Sequence, residues 1–273
     1  MVNGASLEPW LVPPGKRFRL ASRDPSSTRD APGDKEATIA ASAALNDQLA
    51  GLQERLWAEG TRSLLVVLQA MDAGGKDGTI KRVFTGVNPQ GVEVTSFGVP
   101  TKHELAHDFL WRVHARTPAK GRIGIFNRSQ YEDVLVVRVH GWITPQECKA
   151  RYAAINEFER LVAAGGTTVV KLMLHISKDE QAERMRRRLE KPEKRWKFRS
   201  GDLDERKLWD DYMKAFQDAL SATSTEDAPW YVVPADRKWY RDWAALTIIT
   251  ETLRRMDPQF PEPEEDLSAV VVE

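Results

Sequence analysis

Residues 63–84 read SLLVVLQAMDAGGKDGTIKRVF, an apolar run that passes through a glycine pair and a lysine into a helical pattern. The stretch nearly fits the phosphate-cradling Walker A pattern G-x-x-x-x-G-K-[ST], with Ala70 at the first glycine and Asp77 at the hydroxyl position. Gly74, Gly75 and Gly78 let backbone N–H groups point inward at a helix start, where the helix dipole adds positive potential. Lys76 adds a full charge. A glycine-rich turn capped by an acid would read the same way, so the surrounding sequence has to decide.

Working outward, short apolar runs alternate with helical patterns: LLVVLQ from Leu64, VEVTSF from Val92, RIGIF from Arg122, TVVKLMLHI from Thr168 and WYVVP from Trp230. Apolar strands separated by helices predict an α/β three-layer sandwich: a parallel sheet of about five strands with helices on both faces. A long helix is expected from Lys35 to the stop signal at Gly60, since Ile39, Leu45, Leu49, Leu52, Leu56 and Trp57 recur at helical spacing. Further helices are expected at 76–85, 103–115, 145–164, 178–191, 202–222 and 239–256. Residues 1–34, rich in Pro, Ser, Arg and Asp, read as an irregular arm that can pack through Trp10 and Leu11. Residues 257–273 read as an acidic tail over the surface, leaving 35–256 as one domain.

The 40 basic residues equal the 40 acidic ones, so an anionic partner must be held by a local concentration of charge. One cysteine, Cys148, cannot form an internal disulfide, and no apolar run is long enough for a signal peptide or a span. A cytoplasmic protein with no membrane partner is expected.

Within the loop, Asp72 and Asp77 would repel phosphates unless a divalent cation lies between, so Asp72 is read as a metal ligand. Asp77 is read as a helix N-terminal acid. The third strand ends in IFNRSQYEDVLVVRVHG, with Asn127 where a P-loop enzyme places a metal-organising aspartate. Glu132 and Asp133 are then candidates for the missing carboxylate, or exposed first-turn acids. From Arg184 to Arg199, nine Lys or Arg face two Glu, a net of +7 in a neutral chain. Helical spacing groups Arg184, Arg187, Arg188 and Lys191 on one face, and Pro192 breaks the helix before Trp196. This reads as a mobile basic lid, about residues 178–205, over an anion. Pairs Glu180–Arg184 and Glu183–Arg187 on a solvated helix are the competing reading.

MDAGGKDGT, VNPQGVEVTSFGVPT, ELAHDFLWR, IFNRSQYEDVLVVRVHG, KPEKRWKFRSGD and WDDYMKAFQDALSATSTEDAPWYVVPADRKWYR together resemble the type-2 polyphosphate kinases over most of Lys35 to Met256. The resemblance implies a P-loop kinase-like fold with a helical lid, and Mg²⁺-dependent phosphate transfer, with Mn²⁺ as a substitute, between inorganic polyphosphate and nucleoside mono- or diphosphates. It implies that Asp72 binds metal and orients the acceptor phosphate, that Lys76 grips phosphates at the transfer point, and that Asn127, Arg128 and Glu132 complete the catalytic set, with Asp133 a second metal candidate. Gly74, Gly75, Asp77, Gly78 and Lys81 would line the polyphosphate channel. Arg187, Arg188, Lys194 and Lys197 would close from the lid, whose base Asp202 would fix. Ala70 and Asn127 depart from members with Gly and Asp there, and with YEDVLVVRVHG they look similar to the subgroup that accepts AMP as well as ADP.

In-line transfer needs no phosphoenzyme, so His140 and His175 are read as structural. Two other classes share some of these features. An ATP-dependent nucleoside monophosphate kinase would keep the loop Ser or Thr, and a non-catalytic polyanion-binding protein has no use for Asp72 beside Lys76. With only Trp196 and Phe198 interleaved in the basic segment, no nucleic-acid partner is expected. Exposed helices point to a homo-oligomer, a dimer or tetramer.

Overall fold

The computed structural model describes residues 5–263, 265, 270 and 272. Five strands form one parallel sheet: β1 (Ser63–Gln69), β2 (Val92–Ser96), β3 (Ile123–Asn127), β4 (Thr167–His175) and β5 (Trp230–Pro234), in the order β2-β3-β1-β4-β5. β1 is central, with Val66 opposite Ile125 on one side and Val170 on the other, and all seven of its residues are buried. That burial on both faces is why the run lacks alternation. β2, at the sheet edge, has no fully buried residue, and its apolar and polar residues alternate only over Val92–Thr95.

The helices are α1 (Lys35–Glu59), α2 (Lys76–Val83), α3 (Lys102–Leu105), α4 (Trp111–His114), α5 (Val136–Val139), α6 (Pro145–Ala164), α7 (Lys178–Glu190), α8 (Gly201–Lys207), α9 (Trp209–Thr223) and α10 (Lys238–Met256). α1, α2 and α10 pack together in one layer, and α5, α6 and α9 in the other. Asp34 caps α1 by accepting the Ala37 N–H at 2.9 Å, and Gly60 ends it in the left-handed region, as its stop signal predicts.

Two expected helices are each broken in two. Across 103–115, the Asp108 carboxylate takes the Leu110 N–H at 2.9 Å, and this local bond replaces the helical one and separates α3 from α4. Across 202–222, the chain bends at Leu208, which leaves α8 with the lid and α9 with the core. The arm is more ordered than its composition implies. The Val12 N–H donates to the Trp230 carbonyl and the Val232 N–H to the Trp10 carbonyl, both at 2.8 Å, so the arm pairs antiparallel with β5 and covers that edge. Trp10 is buried against Trp243, and its indole donates to the Tyr240 hydroxyl at 3.2 Å. Of the acidic tail, residues 264, 266–269, 271 and 273 lie outside the described residues.

Candidate active site

The loop joining β1 to α2 lies at the carboxyl edge of the central strand, where parallel sheets place ligands. Its lysine is buried: Lys76 Nζ donates to the Ala70 carbonyl at 2.9 Å, leaving two ammonium protons for an oxyanion. Burial, helped by the Arg128 charge, lowers the Lys76 pKa below the usual lysine value. Gly75 adopts φ +109°, and a Cβ there would sit 1.9 Å from the Arg241 guanidinium, so only glycine fits. The loop is also held by Arg184, which donates to the Ala73 carbonyl at 3.1 Å, the Gly74 carbonyl at 2.9 Å and the Asp236 carbonyl at 3.1 Å. Arg184, expected on the lid's basic face, is therefore a strut beneath the loop. It is buried, and Glu180 accepts from it at 2.8 Å.

Beside the loop, the turn after β3 carries the remaining catalytic candidates. Arg128 takes a positive φ of 64°, and its backbone N–H donates to the Leu68 carbonyl at 3.1 Å, tying the turn to β1. Its guanidinium reaches Asp72 Oδ1 at 2.7 Å and Glu132 Oε2 at 3.5 Å. Burial alone would lower the Arg128 pKa; Glu132 and Asp72 outweigh it and keep the cation charged well above neutral pH. Asn127 donates to Asp77 Oδ1 at 3.0 Å. A cavity of about 40 Å³ opens behind Asp72, lined by Ala70, Arg128, Glu132, Glu205 and Tyr212 among others.

Asp72, Lys76, Asp77, Asn127, Arg128 and Glu132 thus converge. Asp133 points elsewhere, to Arg112 at 3.6 Å and Arg151 at 3.7 Å, and burial raises its pKa. Among the described residues, no group of three or more His, Cys, Asp and Glu side chains encloses a metal. Mg²⁺ needs no such cage, since one or two carboxylates plus substrate phosphates and water complete its octahedron. Asp72, with one oxygen on Arg128 and its side chain part-exposed, fits that donor chemistry.

The lid is α7, a 3₁₀ segment at Pro192–Lys197, and α8. Both helical pairs of the competing reading form: Arg184 with Glu180, and Arg187 with Glu183 at 3.0 Å. Arg188 reaches Asp202 at 3.3 Å, and Lys197 crosses to the loop, meeting Asp77 Oδ2 at 2.9 Å. Burial alone would raise the Asp77 pKa; the bonds from Lys197 and Asn127 hold it below the usual value. Lys81 and Lys194 are exposed and, among the described residues, form no ion pair. Behind the lid, Glu205 accepts from the Tyr212 hydroxyl at 2.5 Å and faces His140 Nε2 at 2.9 Å.

Sequence reasoning missed Arg241, Gln181 and Glu205. Gln181 Nε2 donates to the Asp72 carbonyl at 2.9 Å. An uncharged residue on the apolar side of α7 was the one available signal; Arg241 and Glu205, far along the chain from the loop, carried none.

A central parallel strand, a glycine loop over a buried lysine, and a basic lid paired to the loop define a P-loop phosphotransferase. The model of the polyphosphate kinase 2 (PPK2) family matches residues 33–261, and the chain belongs to that family. It is 55% identical over 267 residues to the AMP/ADP-polyphosphate phosphotransferase of Meiothermus ruber, covering 98% of this chain and 100% of that one. It is 46% identical to the ADP-polyphosphate phosphotransferase of Rhodopseudomonas palustris, over 79% of each chain. Polyphosphate kinase 2 from Arthrobacter aurescens TC1 superposes with a TM-score of 0.93 at 46% identity, covering 98% and 97% of the two chains.

Proposed function

We propose that this phosphotransferase moves the terminal phosphate of inorganic polyphosphate onto AMP and then ADP, by direct in-line transfer. The observation that carries the reading is Arg128, on a turn at positive φ, with its guanidinium gripped by two carboxylates beside the Lys76 loop. Preorganised cations of this kind neutralise charge that develops on a transferring phosphoryl group. An acceptor phosphate oxygen forms the new P–O bond while the bridging P–O bond to the shortened chain breaks. Lys76 and Arg128 bind the oxygens of the group in transit. Asp72 would hold Mg²⁺, which when bound supplies charge between phosphate oxygens. Arg187, Arg188 and Lys197 exchange their carboxylate partners for phosphates, over a channel lined by Gly74, Gly75, Gly78 and Lys81. No histidine takes a phosphoryl group in this reading: His140 faces Glu205, and His175 is buried at the end of β4.

AMP acceptance rests on the Meiothermus ruber relative, whose name includes AMP, matched over its full length. A cytoplasmic site of action fits the buried unpaired Cys148, and among the described residues no helix is long and apolar enough to cross a membrane. Assembly into dimers or tetramers is supported by exposed Val94, Val99, Leu105 and Trp111 on and after the edge strand β2, and light scattering on the purified chain tests it.

The functional test is incubation of AMP, ADP, GMP and GDP separately with Mg²⁺ and long polyphosphate as sole donor, beside a parallel set with ATP as sole donor. From AMP, ADP should appear first and ATP after a lag. Conversion of ADP but not AMP would place the chain with diphosphate-only enzymes, and conversion only when ATP is the donor would overturn the polyphosphate reading.

A further inference from the structure

Beneath the Arg128 turn lies a buried charged cluster with no role in the chemistry above. Lys171, in β4, and Glu159, in α6, are 0% and 1% exposed and meet at 2.5 Å. Lys171 Nζ also donates to the Tyr131 hydroxyl at 2.9 Å and to the Thr223 carbonyl at 2.7 Å. Glu159 Oε1 accepts from the Tyr131 hydroxyl at 2.9 Å and from Gln130 Nε2 at 3.0 Å. The ammonium therefore donates three bonds and the carboxylate accepts three, and the Trp230 ring lies 5.2 Å from the nitrogen. Burial pushes the Glu159 pKa up and the Lys171 pKa down, against the attraction between them.

A satisfied buried ion pair is weak evidence for stability, because apolar residues of similar volume often serve as well or better. What such a network does impose is one geometry on the groups bonded to it. Here those groups are Gln130 and Tyr131, the first two residues of the 3₁₀ turn Gln130–Asp133. Their side chains point inward to the pair, while Glu132, on the same turn, and Arg128, two residues before the turn, point out and meet each other, Arg128 also reaching Asp72. Arg128 sits at φ +64°, a conformation that costs an Arg about 1 kcal/mol or more and persists only where the surroundings over-determine it. Ser129 adds a lesser hold, accepting from Gln69 Nε2 at 3.3 Å.

We infer that the Lys171–Glu159–Tyr131 network is a positioning device that fixes the Arg128 guanidinium for phosphoryl transfer. Lys171, Glu159 and Tyr131 touch no substrate and act through the turn. This rests on the role given to Arg128 above, so the test separates the two.

Tyr131→Phe and Glu159→Gln, which change volume little, are each made in the wild-type chain and in an Arg128→Lys chain, and kcat, KM for polyphosphate, KM for ADP and the thermal midpoint are measured. In the wild-type chain each should lower kcat roughly 10- to 100-fold with both KM values little changed, because small displacements of a preorganised group act on the transition state. In the Arg128→Lys chain, where the fork is already lost, the same changes should lower kcat by less than about 2-fold, the non-additivity of residues acting as a unit. Equal losses in both backgrounds would overturn the positioning role and leave Arg128 in place. Arg128→Lys with wild-type kcat would overturn the role of Arg128 itself, and the positioning role with it. If Glu159→Gln does not fold, Tyr131→Phe, which leaves the ion pair intact, decides alone.

Discussion

Two lysine–carboxylate pairs bracket the site. Under it, Lys171 and Glu159 meet at 2.5 Å with side chains 0% and 1% exposed; above it, Lys197 and Asp77 meet at 2.9 Å with side chains 35% and 64% exposed. Distance hardly separates them, but solvent does. The exposed pair is worth about 0–1 kcal/mol and is screened by salt, so its lysine can leave for a phosphate at little cost. In the buried pair, losing one partner strands a charge where water cannot reach it. Under the proposed function, one fold would use the same chemistry as a fixed floor and as an exchangeable cover.

The largest test of that contrast is to delete each lysine. Lys171→Ala should cost about 3–5 kcal/mol of stability in chemical denaturation, and Lys197→Ala less than about 1. Similar losses would mean that the floor is no more committed than the lid. Next, Asp72→Asn should lower kcat on the order of 10²- to 10³-fold while moving the thermal midpoint little, since Asp72 is part-exposed and, in the metal-holding role proposed for it, would serve the reaction rather than the core. A near-normal turnover removes Asp72 from the site.

A smaller effect is expected at the lid. Arg187→Gln with Arg188→Gln should raise KM for long polyphosphate about 10-fold and flatten its salt dependence, because fewer counterions are exchanged when the polyanion binds. KM for AMP, with a single phosphate, should change far less. Wild-type affinity at both low and high salt would make the segment a solvated helix held by its own Glu180, Glu183 and Asp202 pairs.

The smallest effect concerns Glu59, a part-exposed carboxylate that Arg62 holds while also donating to the Met256 carbonyl at 2.6 Å, so tying α1 to α10. The Arg62 bonds bring the Glu59 pKa from 4.5 to about 2. The folded value lies below the unfolded one, so the stabilisation is complete above about pH 4.5 and fades as pH falls toward 2. Glu59→Gln should flatten the stability profile in that window, with its full loss of stability at pH 7 and little or none near pH 2. An unchanged acid limb would show that the pair does not couple to folding.

The strands, the phosphate loop and the long first helix were legible because each is written locally: unbroken apolar runs, a glycine pair before a lysine, and helical spacing from Lys35 to a Gly60 stop. Asp72, Lys76 and Asp77 were legible for the same reason, lying within six residues of one another. Arg128 was reached through the likeness of its motif, and its positive φ was not visible in the sequence. The lid's charge was counted correctly, but the count could not tell Arg184, turned inward under the loop, from Arg187 and Arg188, turned toward the acids of the lid. Adjacent helical positions differ by about 100°, and which of them meets the core depends on what packs there.

By itself, then, the amino-acid order determined that alternating apolar runs and helices build a parallel sheet, and that a phosphate loop opens the helix after the first strand. Only the tertiary structure decided that β1 lies between β3 and β4, that the arm closes the β5 edge, and that Lys171, Glu159 and Tyr131 meet under Arg128. The physical reason is separation along the chain. Propensity and periodicity act over a few turns, whereas the Tyr131–Lys171 bond spans 40 residues and the Lys197–Asp77 pair 120, and such contacts exist only once the sheet has set the distances.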